Sequence, residues 1–330
     1  MYATSPHFTG FGPDMSFRYA TRLNSFRLHG GAKIGSAAAL RSVAKVKGIS
    51  AVELNYPQHF TGENEDLLEL ARGEGLAITA LNLRYDGPDF AHGAFTHPLE
   101  ANRAKAIRIS MEAAELAAKR GIGHVILWMG PDGYDYPFQS DYRQLWDMEI
   151  DGFRRVAEIA PDVRVSVEYK PSDPRRFSLV RNMGEALLAV ADVGRPNFGV
   201  TLDYCHLLMA GENLAFAASL ALARGKLFGV HINDGYGPAD DGLMVGTITL
   251  WQTVELLWTL RQGGFTGTIY FDTFPDRLDP AAECARNVET MERLTALLDR
   301  VPVEAVRTAQ AAQDAVSASH IFQDVYLRAP

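Results

Sequence analysis

Two hydrophobic periods take turns along this chain. Short runs with apolar residues at every second position read as strands, and longer stretches with apolar residues three and four apart read as helices. One faint strand falls around Ser16 to Tyr19. Ser36 to Lys47 then has helical spacing at Ala38, Leu40, Val43 and Val46, with Ser36 as N-cap and Gly48 as stop. From there the pattern predicts strand 51–56, helix 63–72, strand 77–85, helix 97–120, strand 124–129 and helix 142–159. It continues with strand 163–170, helix 179–192, strand 198–204, helix 213–223, strand 227–233, helix 250–262, strand 267–273 and helix 280–299.

Strands alternating with helices are the signature of βαβ units and a parallel sheet. Counting the first strand, there are eight strand–helix pairs, the closure number of a (β/α)8 TIM barrel. No composition shift or Pro-rich linker divides the pattern, so residues 1–300 are expected to form one α/β barrel domain. Residues 301–330 fall outside it as a C-terminal helical tail: Val303 to Val316, then His320-Ile-Phe-Gln-Asp-Val-Tyr-Leu. Such a tail either packs on its own barrel or clasps a second subunit in a dimer or tetramer.

Alternation also sorts the strand faces. In the fifth strand Val165, Val167 and Tyr169 oppose Ser166, Glu168 and Lys170. In the sixth, Phe198, Val200 and Leu202 oppose Gly199, Thr201 and Asp203. The seventh sets Phe228, Val230 and Ile232 against Gly229, His231 and Asn233, and the eighth sets Ile269 and Phe271 against Thr268, Tyr270 and Asp272. Glu53 with Asn55, and Asn82 with Arg84, continue the polar face on the second and third strands; Ile126 and Trp128 share the inner face of the fourth. Polar groups inside a barrel are costly unless paired or bound to something. These stand near the C-terminal strand ends, where TIM-barrel active sites lie.

A lone Asp at a strand end is commonly a cap, and a lone His a core residue. Glu168, Asp203, His231 and Asp272 in phase on consecutive strands point instead to a divalent cation with hard or borderline tastes: Mn²⁺, Mg²⁺, Co²⁺ or Zn²⁺. His206 follows Asp203 by three residues, close enough for both to face one cation if the chain turns after the strand. Cys205 is expected to point away. Lys170 faces the same mouth, toward a substrate or an inner carboxylate. Trp128 offers either an apolar wall for the carbon face of a sugar or a core contact. Arg84 is either a ligand for a substrate phosphate or carboxylate, or solvated; with Glu53, Asn55, His59 and Asn82 it is a candidate for substrate specificity.

Net charge narrows the partners. The formal charge of -8 over 330 residues is spread along the chain, which disfavours nucleic acid and anionic membranes. Two cysteines give no disulfide framework, no window has the apolar length of a membrane span, and the first residues do not read as an export signal, so a cytoplasmic location is expected. Gly121-Ile-Gly123 lacks the rest of a dinucleotide fingerprint, so no nucleotide cofactor is expected.

Several segments resemble a known family. Glu168-Tyr-Lys170-Pro-Ser-Asp-Pro-Arg175 resembles the Glu-x-Lys-Pro-x-x-Pro segment of the xylose isomerase group, and Asp203-Tyr-Cys-His206 its acidic-x-x-His segment. Leu127-Trp128 through Gln139 is similar to the Trp-containing segment of L-rhamnose isomerases, as is His231-Ile-Asn-Asp followed by Asp240-Asp241-Gly-Leu-Met-Val-Gly246 to their seventh unit. The resemblance covers roughly residues 50 to 300, with tagatose 3-epimerase-type enzymes as relatives.

By this resemblance Glu168, Asp203, His231 and Asp272 are the ligands of a structural metal. Asp203 bridges to a second, catalytic metal that His206 also binds, Lys170 meets the substrate's reacting oxygens, and Trp128 walls the sugar. The second metal of these isomerases takes two carboxylates spaced Asp-x-Asp; here the positions hold Asp240 and Gly242, so either Asp240 or Asp241 supplies one carboxylate, or the second site is weak or absent. The implied activity is aldose–ketose isomerisation of a small sugar, without a redox cofactor, by a metal-assisted 1,2-hydride shift. The rival is a one-metal ketose 3-epimerase with Glu168 and Asp272 as acid/base pair. A reading of another class is a non-catalytic sugar-binding barrel.

Overall fold

The computed structural model describes residues 17–27, 33–61 and 66–327. Eight parallel strands close on themselves: β1 (Arg18–Arg22), β2 (Ile49–Tyr56), β3 (Ala77–Leu83), β4 (His124–Trp128), β6 (Arg164–Glu168), β8 (Phe198–Asp203), β9 (Leu227–Ile232) and β10 (Thr268–Phe271). A separate two-stranded ribbon pairs β5 (Gly133–Tyr134) with β7 (Phe177–Ser178), joining the loops that follow β4 and β6. The fold is the (β/α)8 barrel that the alternation predicts.

Around it run α1 (Leu23–Arg27), α2 (Ser36–Val43), α3 (Leu67–Gly73), α4 (Glu100–Arg120), α5 (Tyr142–Ile159) and α6 (Met183–Val193). They are followed by α7 (Tyr204–Met209), α8 (Leu214–Leu222), α9 (Leu250–Gln262) and α10 (Pro280–Leu298). The outward strand residues Val165, Val167, Val200, Leu202, Val230 and Ile232 are buried against these helices in one continuous core.

Helix starts differ from the periodicity where a capping side chain decides them. Asp66 accepts from Leu68 N at 2.9 Å and starts α3 at Leu67; the earlier part of that predicted helix, 63–65, lies outside the described residues, as does Ser16 of the first strand. Asn182 accepts from Glu185 N at 2.9 Å and starts α6 at Met183, four residues later than the spacing implies. Ser36 is the first helical residue of α2, and its predecessor Gly35 holds the cap position without a side-chain bond.

The tail forms α11 (Val303–Ala311) and α12 (Ala315–Leu327), broken at Gln313, where φ is 52°. It folds back on its own barrel. Phe322 meets Trp258 edge-on at 5.5 Å, and the Tyr326 hydroxyl donates to Leu294 O at 2.9 Å. No helix among the described residues is long and apolar enough to cross a membrane.

Candidate metal centre

Parallel register levels the inner positions. Trp128 pairs with Glu168, Glu168 with Thr201, Asp203 with His231, and His231 with Tyr270, so that Asp272, just past β10, stands two residues above. Four inner side chains thereby meet at the C-terminal mouth. One ligand-type atom from each of Glu168, Asp203, His231 and Asp272 lies within 4.8 Å of the others, and Asp203, His206 and Asp240 form a second such group.

The chain turns straight from β8 into α7, which brings His206 beside Asp203. Asp203 caps that helix, its Oδ1 accepting from His206 N at 3.0 Å, while the His206 Nδ1 faces Asp203 Oδ1 and Glu168 Oε1, each at 3.8 Å. His206 Nε2 lies 3.3 Å from Asp240 Oδ2, which also accepts from Lys170 Nζ at 3.1 Å. His231 turns Nδ1 to Glu168 Oε2 at 3.5 Å.

Five buried atoms of these groups make no hydrogen bond: Glu168 Oε2, His206 Nδ1, His231 Nδ1, Asp240 Oδ1 and Asp272 Oδ1. Buried polar atoms without a hydrogen bond are expensive. Five of them converging, all oxygen or imidazole nitrogen, fit a divalent cation and leave thiolate chemistry aside. Cys205 indeed faces elsewhere, its thiol reaching Asp234 O at 3.2 Å.

Charge is balanced tightly. Burial would raise Glu168, but His231, Arg84 and His206 outweigh it and hold the carboxyl down at about 2. Asp203, with burial and three neighbouring carboxylates against it, is pushed up to about 7. Burial would lower His206, yet Asp203, Asp240 and Glu168 raise it to about 9. A cation must displace these protons. Metal loading at pH 7.5 is therefore expected to release protons, and the affinity to climb with pH through about 7 toward about 9, by up to about tenfold per unit for each competing proton. Titration calorimetry of Mn²⁺ into chelated protein, in buffers of different ionisation enthalpy, reads this directly; a pH-independent affinity would contradict it.

Behind the donors stand Glu53, Asn82 and His59. Glu53 accepts from Asn82 Nδ2 at 3.0 Å and lies 3.2 Å from His231 Nε2. It thus fixes the tautomer that leaves His231 Nδ1 free for the centre, and Asn82 is fully buried behind it. Glu53→Gln is expected to lower Mn²⁺ affinity by about tenfold or more with an unchanged circular dichroism spectrum; equal affinity would remove Glu53 from this role. His59 is likewise tied up, with Nδ1 accepting from Asn55 N at 2.9 Å and Nε2 2.9 Å from Asn24 Oδ1.

Arg22 and Asn233 were not singled out as functional. Arg22 Nε lies 3.2 Å from Asp272 Oδ1; the faint alternation of the first strand hid its inward phase. Asn233 donates to Asp272 O at 3.0 Å and accepts from Cys205 N at 2.9 Å, locking the turn into α7 to the last strand. Its inward phase was visible, its partners were not.

Asp241 lies apart from both donor groups. Its Oδ2 accepts from Tyr236 N at 2.7 Å, bracing the loop. Gly242 has φ 58°, and a Cβ there would lie 2.3 Å from the Phe274 ring, so a side chain at that position would be strained and would have to displace the ring. Trp128 stands at the mouth with the Arg84 guanidinium 5.3 Å and Lys170 Nζ 6.0 Å from its ring. Among the described side chains, Lys170 is held by Asp240 and by Asp173, at 3.2 Å.

A closed parallel barrel with cation-type donors gathered at its C-terminal mouth defines a class of metal-site (β/α)8 barrels. Within that class residues 40–294 match the xylose isomerase-like TIM barrel family, and the chain belongs to it. It is 31% identical over 194 residues to the xylose isomerase of Thermus thermophilus, covering 57% of this chain and 50% of that protein. To the xylose isomerase of Thermus caldophilus it is 29% identical over 194 residues, with the same coverage. The chain thus aligns with about half the length of these relatives. Among solved structures, a D-allulose 3-epimerase from Methylomonas sp. superposes with a TM-score of 0.67 at 17% identity, over 84% of this chain and 99% of that one. A xylose isomerase domain protein from Alicyclobacillus acidocaldarius gives 0.65 at 20%, over 85% and 99%. At such identities the likeness is one of fold.

Proposed function

We propose that this chain is a divalent-metal-dependent sugar isomerase that interconverts an aldose and a ketose. In this reading Glu168, Asp203, His231 and Asp272 hold one cation, and Asp203, His206 and Asp240 hold a second. Mn²⁺ suits these donors best, with Mg²⁺, Co²⁺ and Zn²⁺ as alternatives. The observation that carries the reading is the pair of donor groups sharing one carboxylate, Asp203. A divalent ion held by these residues would supply Lewis-acid polarisation of the sugar carbonyl, the chemistry that hydride transfer between C1 and C2 needs.

The chain's own residues supply the rest. Burial would lower Lys170, but Asp240 and Asp173 raise it, so it stays an ammonium able to balance negative charge on the substrate oxygens. Asp240 Oδ1, buried and unpartnered, is the acceptor available to a substrate hydroxyl proton. Trp128, between two cations, presents its ring to the carbon face of the sugar and excludes water. The same reading includes a cytoplasmic homo-oligomer, dimer or tetramer; exposed Val316 and Leu327 on α12 favour an apolar contact between copies.

One observation favours the 3-epimerase as second reading. Glu168 Oε2 and Asp272 Oδ1 are both buried without a hydrogen bond, each facing one cationic side chain, His231 and Arg22, and Gly242 leaves the loop after β9 with one carboxylate in the second group. A panel of aldoses and ketoses with Mn²⁺ in deuterated water separates the two. Interconversion at C1 and C2 with the substrate hydrogen retained is expected. Deuterium at C3 would establish epimerisation instead, and metal-loaded protein that binds sugars without turning any over would leave a binding barrel.

A further inference from the structure

We infer that the N-terminal mouth of the barrel is a second binding site, one that takes a small anion, a carboxylate or a phosphate, between Arg18 and Arg164. TIM-barrel interiors are ordinarily filled by layers of bulky branched side chains. The lower half of this one carries small residues, Ala20, Ala51, Ala77 and Gly199, beside the rings of His124, Phe228 and Tyr270. A cavity of about 920 Å³, within the range of small-molecule sites, opens at this N-terminal end and reaches inward to Glu53, the partner of His231.

Its lining is built for a ligand with a negative end. Arg18 is the first residue of β1 and Arg164 the first of β6, and those strands are four places apart in the ring of eight, so the two line the cavity from opposite walls. No described carboxylate lies within ion-pair distance of either guanidinium, Asp162 on the same rim included. Arg164 lies over the Phe228 ring at 5.3 Å; Lys226, over the same ring at 5.9 Å, is tied to three backbone carbonyls. Deeper, His124 lines the cavity; its Nε2 lies 2.7 Å from Ser166 Oγ, which lies 2.6 Å from Thr201 Oγ1, and both hydroxyls are fully buried.

Glu53 also borders the cavity but stands far from the cations. It pairs in register with Arg22, four residues beyond Arg18, about 13 Å along the strand. Its carboxylate is engaged by Asn82 and His231. An anion held at the rim is thus spared its repulsion, and a ligand with a polar body would extend toward it.

Titration calorimetry of the Mn²⁺-loaded protein with phenyl phosphate and with benzoate tests the site, the two arms separating phosphate from carboxylate and both offering a ring to Phe228. Saturable binding of at least one of them is expected. Arg18→Gln and Arg164→Gln should each weaken it by about tenfold, with unchanged circular dichroism, and exposed Arg143→Gln should leave it alone. Absence of saturable binding at millimolar concentration would overturn the inference. So would full affinity in the Arg18→Gln/Arg164→Gln protein, or affinity lost on chelating the metal but kept in both arginine variants, which would put the anion at the other mouth.

Discussion

Asp203→Asn is expected to remove both cations together and to lower turnover by about 10³-fold or more, the equivalent of the several kcal/mol that a Lewis acid supplies. Asp203 is the one residue common to the two donor groups. Its replacement should nonetheless leave the barrel folded. Asn caps a helix as well as Asp does, so the bond from His206 N that starts α7 survives, and the substitution removes a buried carboxyl already pushed up to about 7 by its surroundings. The measurement is metal content by mass spectrometry beside the initial rate. His206→Ala, by comparison, should lose the second ion alone. Two equivalents of Mn²⁺ retained by Asp203→Asn would dissolve the shared-carboxylate reading.

What could be read from the sequence follows the range of the interactions. The phase of Glu168, Asp203, His231 and Asp272 is local, because alternation along each strand fixes the face, and an apolar outer face on four strands made the inner one conspicuous. Parallel pairing of neighbouring strands then levels them. Interactions across the barrel leave no such trace. Glu53 meets His231 from 178 residues away, and nothing in β2 alone distinguishes a carboxylate that reaches substrate from one that orients an imidazole. The choice between Asp240 and Asp241 depended on the conformation of residues 235–242, where Asp241 turns back to Tyr236 N and Gly242 yields to Phe274. The tail was ambiguous for the same reason: its apolar residues were plain, but only the packing of Phe322 on Trp258 gives them this barrel as a partner.

Lys170→Met should lower kcat by about 10²- to 10³-fold, the usual effect of removing one group that stabilises developing negative charge, while the KM for sugar changes far less. The side chain is 7% exposed, and its ammonium is shared between Asp240 at 3.1 Å and Asp173 at 3.2 Å. Met preserves the length and apolar contact of the stem, so Trp128 keeps its neighbour and the loss isolates the charge. Lys170→Arg should not restore the rate, because a planar fork cannot occupy the place of a compact point charge between two carboxylates and an indole ring. The ion at Glu168, Asp203, His231 and Asp272 should stay bound in both variants, since Lys170 touches none of them. Asp240, deprived of its cation, should hold a proton more readily than it does beside Lys170, where burial is overcome and its carboxyl is kept low. The acid limb of the pH–rate profile is therefore expected to move to higher pH in Lys170→Met. A variant with full kcat and an unmoved profile would show that the lysine only pairs with its carboxylates and takes no part in the chemistry.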